Sequence, residues 1–496
     1  MKLENLLMER FNYSAFRPGQ KEIICSILEG NNTIAMLPTG TGKSLCYQLP
    51  GYMLNGQVVI ISPLLSLMQD QVEQLMMNGE KRVIAFNSFL SYEEKNQALA
   101  RLNKYKFIFL SPEMLRAESV IRRLRELKIA LFVIDEAHCI SQWGYDFRPD
   151  YLKLGEVREE LGQPLTLALT ATATPAVKVD ITASLALNKW NEFIYSVDRP
   201  NISLSVENIN SYQEKTERLI ELVKSFAGPG IIYFSSKKLS EQMASLLKER
   251  GVAGVMAYHG GMEQETRILI QQQFIYGQLD VICATSAFGM GINKENIRFV
   301  IHFHMPPQLE SYLQEIGRAG RDGKRSIAIL LYSPGDEQLP YQLAEGELPS
   351  EVQIDWLFHW LEENPHAMKD IAPFENEIKR ISGLTDIQWR LIVDFLQGYE
   401  HVHLKQSAGE LKSMINKRMQ VKRKKISEMY KWTQKPECRR KNVLKYFQED
   451  KTIEIENCCD CCGIDLKAFY PKTKRQKLVE TGFDWRNHLA EILLSK

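Results

Sequence analysis

Near the start of the chain, a glycine-rich stretch reads Leu37-Pro38-Thr39-Gly40-Thr41-Gly42-Lys43-Ser44. The apolar run Thr33 to Met36 precedes it and predicts a buried strand, whereas the residues from Leu45 onward predict a helix. A strand, a glycine-rich turn and a helix together are the usual context of a phosphate-binding loop. The alternative interpretation is an ordinary glycine turn that carries a solvent-facing lysine.

As a phosphate-binding loop, this stretch has a definite chemistry. Its glycines let backbone N–H groups face a polyphosphate, and the N-terminus of the following helix adds positive potential. We predict that Lys43 reaches the β- and γ-phosphates and that Ser44 holds Mg²⁺. The strict pattern has glycine at position 37, where this chain has leucine. The remaining residues predicted to bind ATP through this loop are Pro38, Thr39, Gly40, Thr41 and Gly42.

Residues upstream of the loop are candidates for binding the base. Gln20 is predicted to read the edge of adenine, because an amide both donates and accepts hydrogen bonds. Tyr13 or Arg17 would stack on the ring. A capped helix start is the alternative interpretation of this segment.

An acidic pair, Asp135-Glu136, directly follows the apolar run Leu131 to Ile134. Asp135 at a strand end is predicted to position Mg²⁺, and Glu136 to polarise the water that attacks the γ-phosphate. A solvated acidic turn is the alternative. His138 and the hydroxyls of Thr170 and Thr172 are candidates for linking hydrolysis to movement, although each is also compatible with a purely structural role.

The segment that follows, Cys139 to Pro149, contains three aromatic residues, an arginine and a glycine. A loop does not easily bury three rings, so we predict that they stack on unpaired bases. The favoured contacts are Trp143 and Phe147, accompanied by Arg148 and His138. Rings packed under the edge of the sheet are the alternative.

The rest of the pattern predicts the fold class. Apolar strands alternate with helices, which predicts an α/β protein with parallel sheets and ligand groups at the strand C-termini. The alternation restarts near Asp198, so a second lobe follows without its own phosphate loop. In the stretch Gln314 to Gly323, Arg318 and Arg321 are three residues apart and share one helical face. We predict that they enter the nucleotide site of the first lobe as arginine fingers.

Composition limits the class of protein. The chain has 496 residues, 25% charged and 44% hydrophobic, with a net charge of only +1, so any surface for nucleic acid must be local. It contains no apolar run long enough for a bilayer and begins with a charged, amphipathic segment rather than a signal peptide. We therefore expect a cytoplasmic protein.

Nine motifs, taken in order, resemble those of superfamily-2 helicases and, more narrowly, of the RecQ family of DNA helicases: FRPGQ, PTGTGKS, SPLLSLMQDQV, DEAH, CISQWGYDFRP, TATAT, YHGGM, ATSAFGMGINK and QEIGRAGRDG. The resemblance covers about residues 10 to 335. It implies two tandem RecA-like lobes and an ATP- and Mg²⁺-dependent motor that moves 3′ to 5′ on single-stranded DNA and unwinds duplexes. It also implies that Gln20 reads adenine and that Arg321 is the favoured finger.

The cysteines of the chain are unevenly distributed: five of them crowd residues 438–462. In a reducing compartment this crowding indicates a metal site rather than disulfides. The region resembles the zinc-binding subdomain of the family, although the family spaces its last three cysteines by two residues each. The predicted Zn²⁺ ligands are Cys438, Cys458, Cys461 and Cys462, with Cys459 as the alternate.

The predicted domains are a first helicase lobe at 1–198, a second lobe at 199–345, a helical insert at 346–436, and a zinc-binding subdomain with a short tail at 437–496. The insert reads either as a helix-turn-helix module that touches DNA or as a packing module. The lysines and arginines of 417–425 form either a contact to duplex phosphates or a solvated face.

Only 34 residues follow Cys462. We therefore expect a short, bacterial-type form that lacks the usual C-terminal domains and binds structured DNA more weakly.

The resemblance also implies partners: single-stranded and partially duplex DNA, with a single-stranded-DNA-binding protein or recombination proteins as candidates. We expect a monomer in the nucleoid-associated cytoplasm, acting in recombination, repair and replication-fork processing. Two alternatives stay open at this point, an RNA helicase or remodeller of the same superfamily and a DNA-binding mediator that uses ATP only as a clamp.

Overall fold

The computed structural model describes residues 3–63, 65–86, 90–141, 149–172, 174–289, 294–368, 370–397 and 404–471. Within these residues the chain forms two α/β lobes, followed by a helical region that ends in a cysteine cluster. The predicted fold class is confirmed. Among the described helices, none combines the length and the apolar character needed to cross a bilayer.

The first lobe is built on a seven-stranded sheet in which all neighbouring strands are parallel. The strand order is β3-β4-β2-β5-β6-β1-β7, with β1 (Thr33–Met36), β2 (Gln57–Ile61), β3 (Val83–Phe86), β4 (Phe107–Leu110), β5 (Ile129–Ile134), β6 (Thr166–Thr170) and β7 (Asn191–Ile194). Apart from the first residues of β2 and β5, the inner strands are buried along their length, which is why they read as continuous apolar runs. The loops at their carboxyl ends meet at one edge, and this edge carries the predicted site.

The helices of the first lobe alternate with these strands. They are α1 (Leu3–Phe11), α2 (Gln20–Leu28), α3 (Leu45–Met53), α4 (Leu65–Met77), α5 (Tyr92–Ala100), α6 (Glu118–Arg125), α7 (Pro149–Leu152), α8 (Leu154–Glu160) and α9 (Pro175–Ser184).

The second lobe repeats this architecture with six parallel strands in the order β10-β11-β9-β12-β13-β8. The strands are β8 (Ile202–Asn208), β9 (Gly230–Tyr233), β10 (Val255–Tyr258), β11 (Val281–Ala284), β12 (Phe299–His302) and β13 (Ser326–Tyr332). Its helices are α10 (Tyr212–Ser225), α11 (Lys237–Glu249), α12 (Gln264–Ile275), α13 (Leu309–Ile316) and α14 (Gln338–Glu347).

The C-terminal region consists of α15 (Glu351–Glu363), α16 (Glu375–Ser382), α17 (Asp386–Gln397), α18 (Leu404–Gln434) and α19 (Arg439–Tyr446). The long helix α18 contacts α13, α14, α15 and α19, so it ties the insert and the cysteine cluster to the second lobe. Three basic residues of α18 that were candidates for phosphate contact pair with acidic side chains: Lys422 with Glu347, Arg423 with Glu345 and Lys425 with Glu310. This pairing favours packing over phosphate contact for these residues. The predicted domain boundaries stay predictions.

Candidate active site between the lobes

The phosphate loop lies between the end of β1 and the start of α3, as predicted. Gly40 and Gly42 have φ angles of +86° and +76°, a conformation that side chains rarely adopt. Space is also restricted, because a Cβ on Gly40 would lie 2.7 Å from Arg321 Cγ. Leu37, where the strict pattern has glycine, is buried and its N–H donates to the Thr170 carbonyl at 3.0 Å. This leucine extends the sheet by one residue and leaves the glycines beyond it in place.

The acidic pair lies beside the loop, at the end of β5. Glu136 Oε1 is 3.7 Å from Lys43 Nζ, and the backbone N–H of Glu136 donates to Asp135 Oδ1 at 3.0 Å. Burial, together with the charge of Glu136, raises the pKa of Asp135 to about 7. Although burial acts in the opposite direction, the charges of Lys43, His138 and Arg318 hold the pKa of Glu136 below its ordinary value. Glu136 is therefore ionised at neutral pH, whereas the ionised form of Asp135 would be favoured by a bound cation.

His138 lies inside the site rather than on a nucleic-acid surface. Its side chain is buried, with Nδ1 2.9 Å from Thr170 Oγ1 and 3.4 Å from Glu136 Oε2. The ring is buried in this conformation, and its role as a DNA contact stays a prediction. The position between Glu136 and β6 is compatible with the other predicted role, the link between hydrolysis and movement. The remaining predicted contacts, Trp143, Phe147 and Arg148, lie outside the described residues.

The residues predicted to bind the base line the same cleft, but two of them already make hydrogen bonds within the protein. Gln20 is buried, and its Nε2 donates to the carbonyls of Thr41 at 2.8 Å and Gly42 at 3.0 Å. Arg17 donates to the Gly40 carbonyl and to Glu295 Oε1 of the second lobe, while Tyr13 is half exposed. In this conformation Gln20 holds the phosphate loop itself, and adenine reading stays a prediction.

The second lobe supplies the opposite wall of the cleft. Arg318 and Arg321, from the turn that follows α13, line a cavity of about 260 Å³ together with Lys43, Asp135 and Glu136. Arg318 donates to the Gly289 carbonyl. Burial, reinforced by the neighbouring Arg318 and Arg199, lowers the pKa of Arg321 to about 9. Two arginines thus face the lysine and the acidic pair across one gap, although they lie in a turn and not on the shared helical face that their spacing predicts.

Sequence reasoning missed Arg199, which lies in the connector between the two sheets. Its guanidinium donates to carbonyl groups of both lobes, at Thr39, Gly317, Ala319 and Gly320, over 2.7–3.0 Å. Backbone acceptors can belong to any residue type, so no sequence pattern marks these contacts. Gln314 and Glu295 of the second lobe also line the cleft without having been predicted.

The cysteine cluster corrects one predicted ligand. The sulfur atoms of Cys438, Cys458, Cys459 and Cys462 lie within 4.8 Å of one another. Cys461 is exposed, and its Sγ lies near the Asp460 carboxylate instead. In a short loop, adjacent side chains point in different directions, so the alternate Cys459 completes the set.

These four thiols fit a structural zinc site. A tetrahedral Zn²⁺ with Zn–S bonds of about 2.3 Å places its sulfurs about 3.8 Å apart, and Cys438 Sγ and Cys458 Sγ are 3.8 Å apart. The loop is anchored to β8, since the Leu204 N–H donates to the Cys458 carbonyl at 3.2 Å and the Asp460 N–H to the Leu204 carbonyl at 3.1 Å. Zinc bound here would fix the C-terminal region onto the second lobe.

Comparison with known families agrees with this architecture. The sequence matches the DEAD/DEAH box helicase family over residues 17–179, the helicase conserved C-terminal domain over residues 214–323 and the RecQ zinc-binding family over residues 405–463. The three matches fall on the first lobe, the second lobe and the cysteine-bearing region.

The chain is similar to the probable ATP-dependent DNA helicase RecS of Bacillus subtilis, at 46% identity over 494 residues that cover 99% of this chain and 98% of the relative. It is also similar to the ATP-dependent DNA helicase RecQ of Haemophilus influenzae, at 42% identity over 67% of this chain and 53% of the relative. The chain thus spans about half of that RecQ protein but nearly all of the RecS protein.

Solved structures share the fold of the two lobes. One is the Mycobacterium smegmatis helicase Lhr bound to ssDNA and AMP-PNP, with a TM-score of 0.56 and 22% identity over 68% of this chain and 48% of that one. Another is Saccharomyces cerevisiae Dbp5 bound to RNA and ADP BeF3, with a TM-score of 0.54 and 20% identity over 67% of this chain and 88% of that one. These structures show the fold alone. The RecS and RecQ relatives, together with the zinc-binding match, establish that the chain belongs to the RecQ family of ATP-dependent DNA helicases.

Proposed function

We propose that this protein couples ATP hydrolysis to 3′-to-5′ movement on single-stranded DNA and unwinds duplex DNA in recombination, repair and replication-fork processing. One observation carries the proposal: Lys43 and the pair Asp135-Glu136 of the first lobe share a single cleft with Arg318 and Arg321 of the second. A nucleotide in this cleft would touch both lobes, so its hydrolysis would change the contacts that hold them together.

The residues of the cleft divide the chemistry among them. Lys43 and the N-terminus of α3 would neutralise the phosphates, while Ser44 and Asp135 would hold Mg²⁺, whose positive charge would offset the negative charge that develops during hydrolysis. Glu136 orients the attacking water, since its carboxylate is ionised at neutral pH. Arg321, with Arg318 beside it, stabilises the charge of the transition state.

A motor is required by the energetics of strand separation. Opening DNA costs on average about 1.4 kcal/mol per base-pair step, and stacking a freed base on an aromatic side chain returns about 1–3 kcal/mol. Binding alone therefore melts a few pairs but does not advance along a duplex. A nucleotide-dependent cycle of the lobes supplies repeated steps, and the aromatic loop with Trp143, Phe147 and Arg148 is the proposed contact to the unpaired strand.

The proposed substrates are single-stranded and partially duplex DNA, and the proposed protein partners are single-stranded-DNA-binding or recombination proteins. Both walls of the nucleotide cleft come from one chain, which supports action as a monomer. We propose that it acts at the nucleoid in the cytoplasm, and its proposed DNA substrate supports this.

The test is strand displacement on duplexes with a 3′ or a 5′ tail, made of DNA or of matched RNA. We expect ATP-dependent displacement of the DNA with a 3′ tail, and loss of it together with DNA-stimulated hydrolysis in Lys43→Ala, while DNA binding stays measurable. Preference for RNA would support an RNA remodeller, and a single turnover of ATP per binding event would support a clamp. Either result contradicts the proposal.

A second variant tests the aromatic loop. Trp143→Ala is expected to keep DNA-stimulated ATP hydrolysis but to lose most of the unwinding, because the motor would no longer grip the strand. Undiminished strand separation in this variant would remove the loop from the mechanism.

A further inference from the structure

The connector between the lobes carries an arginine that contacts both of them. It joins the end of β7 to the start of β8, and Arg199 lies in it. Its Nη1 donates to the carbonyls of Thr39 at 2.8 Å and Gly317 at 3.0 Å. Its Nη2 donates to the carbonyls of Ala319 at 3.0 Å and Gly320 at 2.7 Å. One guanidinium thus satisfies four backbone acceptors on two separate walls.

These acceptors belong to the two parts of the nucleotide cleft that must meet in the correct register for hydrolysis. Thr39 is part of the phosphate loop, while residues 317–320 form the turn that carries Arg318 and leads to Arg321. The walls are in close contact, since a Cβ on Gly317 would lie 1.8 Å from Thr39 Oγ1. A guanidinium is planar and rigid, so it sets the distance between the groups that it bonds more firmly than a flexible ammonium does.

The cysteine-bearing region holds the same connector from the other side. Arg440, two residues after Cys438, donates to the Asp198 carboxylate and to the Arg199 carbonyl, the latter at 3.1 Å. Glu449 accepts a hydrogen bond from the backbone N–H of Val197 at 3.1 Å. The connector therefore sits between the zinc-binding region and the cleft, and its backbone is fixed on both sides.

Arg199 acts on the cleft without being part of its lining. The residues around the 260 Å³ cavity include Arg17, Arg318 and Arg321, whereas Arg199 lies behind them, against Thr39 and Arg440. Burial, together with the charge of Arg17, lowers the pKa of Arg199 to about 10, so it keeps its charge at neutral pH. Its position suits it to orient other groups rather than to touch the nucleotide.

We propose that Arg199 is a positioning residue for ATP hydrolysis: it holds the arginine-bearing turn of the second lobe in register with the phosphate loop of the first, and the zinc-binding region fixes it through Arg440. This inference rests on the proposed function of the cleft. If the inference holds, the catalytic rate depends on the planar geometry of the Arg199 guanidinium and not only on its charge.

The decisive variant is Arg199→Lys, which keeps the positive charge but replaces the planar guanidinium by a single ammonium. We expect kcat of DNA-stimulated ATP hydrolysis to fall at least about tenfold, because small misplacements of catalytic groups have effects of this order or larger. The KM for ATP should change less than about threefold, since Lys43 and Ser44 remain in place. Arg250→Lys is the matched control, because Arg250 forms an exposed pair with Glu217 on the second lobe.

A double variant shows whether Arg199 acts through the arginine turn. If it does, adding Arg199→Lys to Arg321→Ala lowers kcat less than about threefold further, because the group that it positions is already gone. Two losses that multiply would overturn the inference. So would a kcat within twofold of wild type, or an effect on KM alone.

The remaining outcomes are also decisive. If Arg199→Lys does not fold, as judged by its melting transition and zinc content, Asp198→Asn replaces it as the test. That variant weakens the contact between Arg440 and residue 198 but keeps the guanidinium of Arg199. We expect kcat to fall about threefold with an unchanged KM. An unchanged kcat in Asp198→Asn overturns the inference. Absence of DNA-stimulated hydrolysis in the wild-type protein would instead contradict the proposed function.

Discussion

The two lobes have the same architecture but contribute differently to the cleft. In the first lobe, three neighbouring strands end in residues of the predicted site: β1 in the phosphate loop, β5 in Asp135-Glu136 and β6 in Thr170. The second lobe reaches the cleft mainly through the turn after α13, with Arg318 and Arg321. One lobe therefore builds a binding site and the other completes it. The difference shows that a shared fold leaves function to the loops grafted on it.

The largest expected effect comes from removing the contribution of the second lobe. Arg321→Ala should lower kcat of ATP hydrolysis about 10³-fold, the low end of the range for arginine fingers, with a smaller change in KM. Steady-state hydrolysis at saturating DNA measures both constants. Arg325→Ala is the matched control, because Arg325 is exposed and pairs with Glu456. Equal losses in the two variants would mean that the second lobe acts only through its overall charge.

The next prediction concerns the first lobe and its pH dependence. Since the pKa of Asp135 is about 7, the carboxyl takes up a proton as the pH falls below 7 and no longer holds Mg²⁺. We expect kcat/KM for ATP to fall about tenfold between pH 8 and pH 6. Raising the Mg²⁺ concentration should move this inflection to lower pH, because the cation favours the carboxylate. A pH profile without an inflection above pH 5.5 would contradict the assignment.

The same shift has a consequence for folding without nucleotide. The pKa of Asp135 is raised above its ordinary value, so the folded state binds more protons than the unfolded state between about pH 4 and pH 7. The protonated carboxyl of Asp135 therefore favours the folded state at low pH. This contribution to the free energy of unfolding is lost as the pH rises from about 4 to about 7.

The contact between the lobes gives a third prediction. Gly317→Ala places a methyl group against Thr39 Oγ1, which should cost about 1–3 kcal/mol of unfolding free energy and lower kcat about fivefold. Thermal unfolding and hydrolysis measure the two effects. Gly346→Ala is the control, because a Cβ there meets nothing within 4 Å. Adding Thr39→Ala, which removes the clashing oxygen, should recover more than half of the lost stability if the clash is the cause.

The smallest expected effect on hydrolysis comes from the region outside both lobes. Cys459→Ser should lose most of the bound zinc, whereas Cys461→Ser should keep it, because only the sulfur of Cys459 lies with those of the other three ligands. Metal analysis of the purified proteins distinguishes them. Hydrolysis should fall about threefold in the first variant, since the zinc-binding region supports the cleft only through the connector. Zinc loss in both variants would return Cys461 to the ligand set.

Much of the site was readable from sequence because its residues are contiguous and directly follow apolar strands. The phosphate loop and the acidic pair carry chemistry in adjacent residues, so a local pattern suffices. The edge strands β3 and β7 were not predicted. In β7 most side chains are exposed, and this strand forms because it pairs with β1. In β7 such pairing leaves no apolar run to read, whereas β3 is an apolar run that the sequence analysis missed.

The amino-acid sequence alone determined the order of the motifs, the α/β class of both lobes and the presence of a thiol-rich metal site. Only the tertiary structure decided which cysteine completes that site, that His138 is buried, and that Arg199 joins Thr39 to the arginine-bearing turn. The physical reason is the range of the interactions. Motifs record what neighbouring residues do, whereas hydrogen bonds to backbone carbonyls across a cleft depend on packing between segments more than a hundred residues apart.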